Sequence, residues 1–106
     1  MIKNNHIDNI GGMEFATFRL KEGVTETTLV ELSHKVEQEF LRRQDELVLH
    51  FLVRGKDGMY ADVALATSQE KAEAYCQQWL SHPVALEYLE LIDETSVDMT
   101  FWTRIN

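Results

Sequence analysis

The stretch LVLHFLVRGKDGMYADVALA, Leu47 to Ala66, decides the fold. Leu47 to Val53 is almost continuously apolar, broken only by His50, which suits a strand covered on both faces. Gly55-Lys56-Asp57-Gly58 has the chemistry of a turn, and Met59 to Ala66 alternates as a returning strand. The pattern predicts a central hairpin with Val53 paired near Tyr60. That parity puts Val48, His50, Leu52, Ala61, Val63 and Leu65 on one face. Leu49, Phe51, Val53, Tyr60 and Asp62 fall on the other.

Outward from the hairpin, Glu14 to Leu20 carries aromatic and β-branched residues over strand length. Gly23 punctuates a turn, Thr25 is placed to cap a helix, and Glu26 suits the positive end of its dipole. Leu29, Leu32, Val36 and Phe40 recur at helical spacing, and Arg42 and Arg43 are expected in the last turn. After the hairpin, Thr67 and Glu70 have capping-box spacing. The second helix is expected to bury Ala72, Tyr75, Cys76, Trp79 and Leu80. Pro83 interrupts it, and Val84 to Ile92 restarts as a reoriented helical piece. Asp93 to Thr95 is read as a turn and Val97 to Ile105 as the last strand. Residues 1–12 are polar, end in Gly11-Gly12 and read as a flexible arm, leaving residues 13–106 as a single domain.

The order β-α-β-β-α-β implies an α+β fold, a ferredoxin-like sandwich with a four-stranded antiparallel sheet and two helices on one face. The helix-free face then holds Phe15, Leu49, Phe51, Val53 and Trp102, more apolar area than one patch exposed to water normally has. Burying four such side chains stabilises by about 6–12 kcal/mol, at about 1.5–3 kcal/mol each. A second copy of the chain across a two-fold axis is the economical cover, so a homodimer through the sheet face is expected. Arg19, Asp62 and Arg104 are candidates to pair across it.

The 106 residues fit one domain, and the proportions are globular, with 44% hydrophobic and 26% charged residues. Ten Lys and Arg against 18 Asp and Glu give a net charge of −8, a field that disfavours nucleic acid and anionic membranes as partners. The single cysteine, Cys76, has no intramolecular disulfide partner. No metal-ligand spacing, phosphate-cradling glycine loop, signal peptide or membrane-length apolar run is visible, so no cofactor and a cytoplasmic setting are expected.

The motif Phe15-x-x-Phe18-Arg19-Leu20-Lys21-x-Gly23-Val24, followed by a capped helix ending at Phe40-Leu41, resembles the start of the dimeric α/β-barrel proteins. The hairpin turn Arg54 to Gly58 matches too, as does Tyr60-Ala61-Asp62-Val63 leading to Thr67-Ser68. So does Leu91-Ile92-Asp93 before Ser96-Val97-Asp98-Met99. Over roughly residues 13–105 the chain is most similar to the antibiotic biosynthesis monooxygenase-like domains. The resemblance implies a homodimer with a pocket between sheet and helices in each protomer. Members include cofactor-free oxygenases of aromatic polyketides and haem-degrading enzymes. The haem degraders use an Asn, a Trp and a His at places that here hold approximately Phe18, Ala66 and Tyr88. Haem degradation is therefore disfavoured, and the Trp that the oxygenases share is missing as well.

His50 is the candidate catalytic residue, because a neutral imidazole on the helix side of a central strand can act as a general base. The plainer alternative is a hydrogen-bonded core histidine. Phe18, His50, Tyr75, Trp79, Tyr88 and Met99 are the candidate ligand-binding residues, an apolar wall with a few polar handles. Their alternative role is to fill the core, although Ala16, Ala61, Ala64, Ala66 and Ala72 leave volume for a cavity. Glu31-x-x-His34 has a di-metal spacing but lacks the second motif such sites need, so it reads as a solvated helix face. Cys76 reads as a small buried hydrophobe, and His82 as a helix-junction residue. The expected function is a homodimer binding a small apolar or aromatic molecule, with a cofactor-free monooxygenase-like activity as its enzymatic form. The alternative is a non-catalytic dimeric regulatory or stress-related domain with a filled core.

Overall fold

The computed structural model describes residues 1–4 and 9–106. The elements are β1 (Ile2–Lys3), β2 (Gly12–Leu20), α1 (Glu26–Glu39), β3 (Leu47–Arg54), β4 (Met59–Ala66), α2 (Gln69–Gln77), α3 (Pro83–Leu89) and β5 (Ile92–Thr103). Short 3₁₀ turns follow α1, at Leu41–Arg43, and α2, at Gln78–Ser81. The sheet order is β1-β3-β4-β2-β5, and every pairing is antiparallel. Removing the short β1 leaves the four-stranded ferredoxin-like order. α2 packs on β2, β4 and β5, while α1 contacts β3 and α3.

The hairpin register differs from the expected one by a single residue. Arg54 pairs with Tyr60, Val53 with Ala61 and His50 with Ala64. The turn sets this phase: Gly55 N–H donates to Met59 O, and Asp57 and Gly58 both take positive φ, a conformation Gly58 adopts without penalty. A one-residue slip exchanges the two faces of a strand. Tyr60, Asp62, Ala64 and Ala66 therefore lie under the helices beside His50, whereas Ala61, Val63 and Leu65 join the open face. Asp62 is consequently not available to pair with Arg19 or Arg104 across that face.

Several element ends are also corrected. Ile2 and Lys3, expected in the loose arm, pair with His50 and Leu49, and Ile2 is buried in the core. Asn4 Nδ2 donates to Leu47 O at 2.8 Å, tying the segment down further. The rest of the expected arm includes Asn5 to Asp8, which lie outside the described residues. Thr25 caps α1 as expected, accepting from Thr28 N–H. Arg42 and Arg43 sit in the 3₁₀ turn rather than in the helix. Ser68, not Thr67, caps α2; the Thr67 hydroxyl donates instead to Glu46. The 3₁₀ turn after α2 advances about 120° per residue, not 100°, and turns Leu80 outward to 72% exposure. Pro83 opens α3 at its first position. β5 starts at Ile92, so Asp93 to Thr95 are strand residues next to a register shift between Thr17 and Arg19.

The open face is built in cross-strand rows. Trp102, Met13, Leu65 and Leu49 form one, and Thr100, Phe15, Val63 and Phe51 the next. The opposite face carries the core, where Phe18, Leu29, Val36, Leu41, Leu47 and Tyr88 are essentially inaccessible.

Candidate functional site

Between the helix side of the sheet and α2–α3 lies a cavity of about 350 Å³. Ala16 and Phe18 of β2 and Asp62 of β4 form its floor, and Trp79, Tyr88 and Leu89 form the helical wall. Ile92, Val97 and Met99 of β5 close the third side, and Leu80 and Gln77 flank the mouth beside Cys76. The volume lies in the lower part of the range that small-molecule sites occupy. Ala16 is the residue that makes room, because any larger side chain at that position projects into the space. The aromatic wall is rigid: Phe18 meets Tyr88 edge-on at 6.5 Å and Trp79 packs on Tyr88 at 5.4 Å.

Among the described residues, Asp62 is the only acidic or basic one in this lining. It belongs to a buried chain of hydrogen bonds that the sequence scatters over four elements. His50 Nε2 lies 2.9 Å from Asp62 Oδ1, and His50 Nδ1 lies 2.8 Å from Glu37 Oε2. The Tyr88 hydroxyl donates to Asp62 Oδ2 at 2.9 Å. The α-ammonium of Met1 stands 3.3 Å from the other Glu37 oxygen. His50 is 1% exposed, so burial alone would strip its charge; the Asp62 and Glu37 carboxylates outweigh that and raise its pKa to about 10. At neutral pH it is an imidazolium held between two carboxylates. Burial would also raise Glu37, but the hydrogen bond and charge of His50, with the Met1 ammonium, bring it below the ordinary carboxylate range.

Glu14 is the third carboxyl of the cluster. Burial and the negative charge of Asp62 raise its pKa to about 8, so it is protonated at neutral pH. Its Oε2 and the hydroxyl of Tyr75 are buried and have no hydrogen-bond partner among the described residues. Burial and the carboxylates hold Tyr75 and Tyr88 well above the ordinary phenol range. The same causes, burial first and Glu14 second, push the Cys76 thiol up to about 12, which rules it out as a ready nucleophile at neutral pH.

The structure thus places Phe18, Trp79, Tyr88 and Met99 around the cavity. His50 and Tyr75 do not reach it. His50 stands behind Asp62 as its counter-ion, and Tyr75 is buried against Trp79 at 6.4 Å. Of the alanines, Ala16 lines the space, Ala61 faces the open side, and Ala64, Ala66 and Ala72 are packed in the interior. Glu31 and His34 lie exposed on α1. Asp62 at the cavity wall, Glu37 and Glu14 are site residues that the expectations from sequence do not include. For two of these the signal was present: Ser33 and Glu37 share the α1 stripe of Leu29 and Phe40, and Glu14 shares the inward parity of Ala16 and Phe18.

Fold and site together define a ferredoxin-like α+β domain with an apolar cavity between its sheet and its helices. No family model matches the chain, and no curated protein does so either. Solved structures share the architecture over nearly all of it. SnoaB, a cofactor-independent oxygenase from Streptomyces nogalater, superposes with a TM-score of 0.66 at 17% identity, over 92% of this chain and 95% of that one. A monooxygenase from the gene ActVA-Orf6 of Streptomyces coelicolor, in complex with the ligand Nanaomycin D, gives 0.65 at 18% identity, over 92% and 89%. A dimeric ferredoxin-like protein of unknown function from Thermobifida fusca gives 0.63 at 17% identity, over 98% and 100%. At these identities the likeness establishes the fold, which is the one the sequence motifs resemble. Among the described residues no helix is long and apolar enough to cross a membrane.

Proposed function

We propose that the chain forms a homodimer that binds one small, apolar, ring-containing molecule per protomer, and that Asp62 accepts a proton or hydrogen bond from it. The observation that carries this reading is an apolar cavity of about 350 Å³ whose lining, among the described residues, holds one carboxyl group, that of Asp62. Asp62 Oδ1 lies 2.9 Å from the His50 ring and Oδ2 accepts from the Tyr88 hydroxyl, which leaves each oxygen a further lone pair. A ligand donor facing Asp62 therefore meets a fixed hydrogen-bond acceptor in surroundings of low polarity, where hydrogen bonds act strongly. The alternative of a filled core accounts for neither the cavity nor this placement.

The likeness to oxygenases that need no cofactor suggests what deprotonation serves. A carbon acid that loses its proton to Asp62 leaves a carbanion. That carbanion forms a C–O bond with O₂, and the resulting peroxide recovers the proton and loses water as the carbonyl forms. A CH₂ group and O₂ then become a C=O group and H₂O. The open apolar face supports the dimer, with Phe15, Phe51 and Trp102 meeting their copies across a two-fold axis. A cytoplasmic setting belongs to the same reading.

The test uses 1-aminoanthracene, an uncharged fused-ring amine whose fluorescence rises in apolar surroundings, and 1,8-dihydroxyanthrone in an oxygen electrode. Saturable binding of the amine at one site per chain is expected, weakened at least tenfold by Asp62→Asn. The anthrone should consume one O₂ per molecule with the wild type and none above background with Asp62→Asn. Absence of saturable binding of either compound overturns the reading.

A further inference from the structure

Glu14 is the buried titratable group for which the proton transfer to Asp62 has no use. It lies on the helix side of β2, opposite Ala64 of β4 and Phe101 of β5. Two residues on, Ala16 pairs with Asp62, so Glu14 and Asp62 are diagonal neighbours on one face of adjacent strands, within side-chain reach. Both are at most 5% exposed. One Glu14 oxygen has no hydrogen-bond partner among the described residues, a costly condition for an ionised carboxylate and a milder one for a protonated acid. The titratable groups that face it are Asp62 of β4, His50 of β3, Tyr75 and Cys76 of α2, and Tyr88 of α3. Only His50 among them is cationic, and its two ring nitrogens are already taken by Asp62 and Glu37. Among the described residues no further counter-ion faces Glu14.

We propose that Glu14 and Asp62 form a buried carboxyl–carboxylate pair that keeps one proton, on Glu14, and that this proton is required for the cavity to accept an uncharged apolar ligand. The inference deepens the small-molecule reading and rests on it. Two neighbouring carboxyl groups in a dry site do not both ionise readily. The two members differ in their partners: Asp62 is hydrogen-bonded to His50 and Tyr88, whereas one Glu14 oxygen has no partner among the described residues, so Glu14 is the member that retains the proton. An apolar molecule seated over Ala16, beside the two already buried groups, lowers the polarity of their surroundings further. It binds readily while Glu14 is neutral and poorly once Glu14 is charged. By linkage, binding then takes up one proton in alkaline solution, and affinity falls by up to tenfold for each pH unit above the titration of Glu14. Glu14 does not line the cavity; it is a positioning residue that acts through Asp62.

The test is the affinity for 1-aminoanthracene, which carries no charge across the range, from pH 6.5 to 9.5. The wild type should hold a constant affinity to about pH 8 and lose roughly tenfold by pH 9. Glu14→Gln, neutral at every pH, should bind with a flat profile. A flat wild-type profile, or an alkaline loss that persists in Glu14→Gln, overturns the proposal. If the probe binds at no pH, the small-molecule reading fails. The proton pair is then judged on the ligand-free wild type by carboxyl ¹³C NMR. A Glu14 carboxyl titrating near pH 8 sustains the pair, and one titrating in the ordinary carboxylate range refutes it. The same spectra decide the matter if Glu14→Gln does not fold.

Discussion

Replacing His50 by Phe removes the single positive charge between two buried carboxylates while keeping a ring of similar size. Glu37 and Asp62 are 2% and 5% exposed, so solvent does not take over the role of the imidazolium. The His50 pKa of about 10 lies about 3 units above pH 7, which corresponds to about 4 kcal/mol of stability at about 1.4 kcal/mol per unit. Breaking buried ion pairs from one side generally costs about 3–5 kcal/mol, the same size. The sign follows from the direction of the shift. A folded value raised from 6.5 to about 10 means that the contribution is complete below pH 6.5 and disappears as the pH rises through 10. Glu37, whose folded value is lowered, gives up its contribution as the pH falls below 4.5. The gap between wild type and His50→Phe in urea unfolding should therefore be widest near pH 6, about 3–5 kcal/mol. It should narrow toward pH 4 and toward pH 10. A cost below about 1 kcal/mol that does not change with pH would refute the charged network.

Four further outcomes follow from particular contacts. Ala16→Phe should fill the cavity and abolish 1-aminoanthracene binding while the far-ultraviolet circular dichroism stays unchanged; retained binding would move the site elsewhere. Phe51→Asp places charge on the apolar row beside Val63, at the β3 end of the row that continues to Phe15, and light scattering should show a dimer for the wild type and a monomer for the variant. Gly12→Ala drives a Cβ into the backbone of Ser68 and Gln69 at the start of α2, and thermal unfolding should show a loss of about 1–3 kcal/mol or more. Glu14→Gln should remove a pH dependence. The folded value of about 8 lies above the ordinary 4.5, so Glu14 takes about 1.4 kcal/mol per unit from wild-type stability between those values, in addition to the loss from His50 above pH 6.5, and urea midpoints should show the variant's fall shallower by that amount.

The fold was legible because alternation and helical spacing are long-range patterns that survive local errors. Leu29, Val36 and Phe40 mark one stripe of α1, and the apolar run from Leu47 to Val53 marks a central strand. The site was less legible because it depends on phase. One residue of register in the hairpin decides whether Asp62 faces the helices or the open sheet, and the Asp57–Gly58 turn conformation that sets this phase is not a matter of hydropathy. His50 stood out as a lone imidazole in an apolar strand. Its partners did not, because Glu37 is 13 residues and Asp62 12 residues away in the chain, on different elements. β1 was invisible for a simpler reason. Two residues carry no periodicity, and Ile2 joins the core only because β3 offers it a free edge.

In the proposed homodimer each protomer carries a cavity for an apolar molecule, and native mass spectrometry of the purified protein, followed by denaturing extraction and small-molecule analysis, is the decisive experiment. The expected result is a dimer, with an uncharged, ring-containing compound retained or, after addition of 1-aminoanthracene, one probe molecule bound per chain. A monomer, or a dimer that retains no compound and takes up no probe, would contradict it.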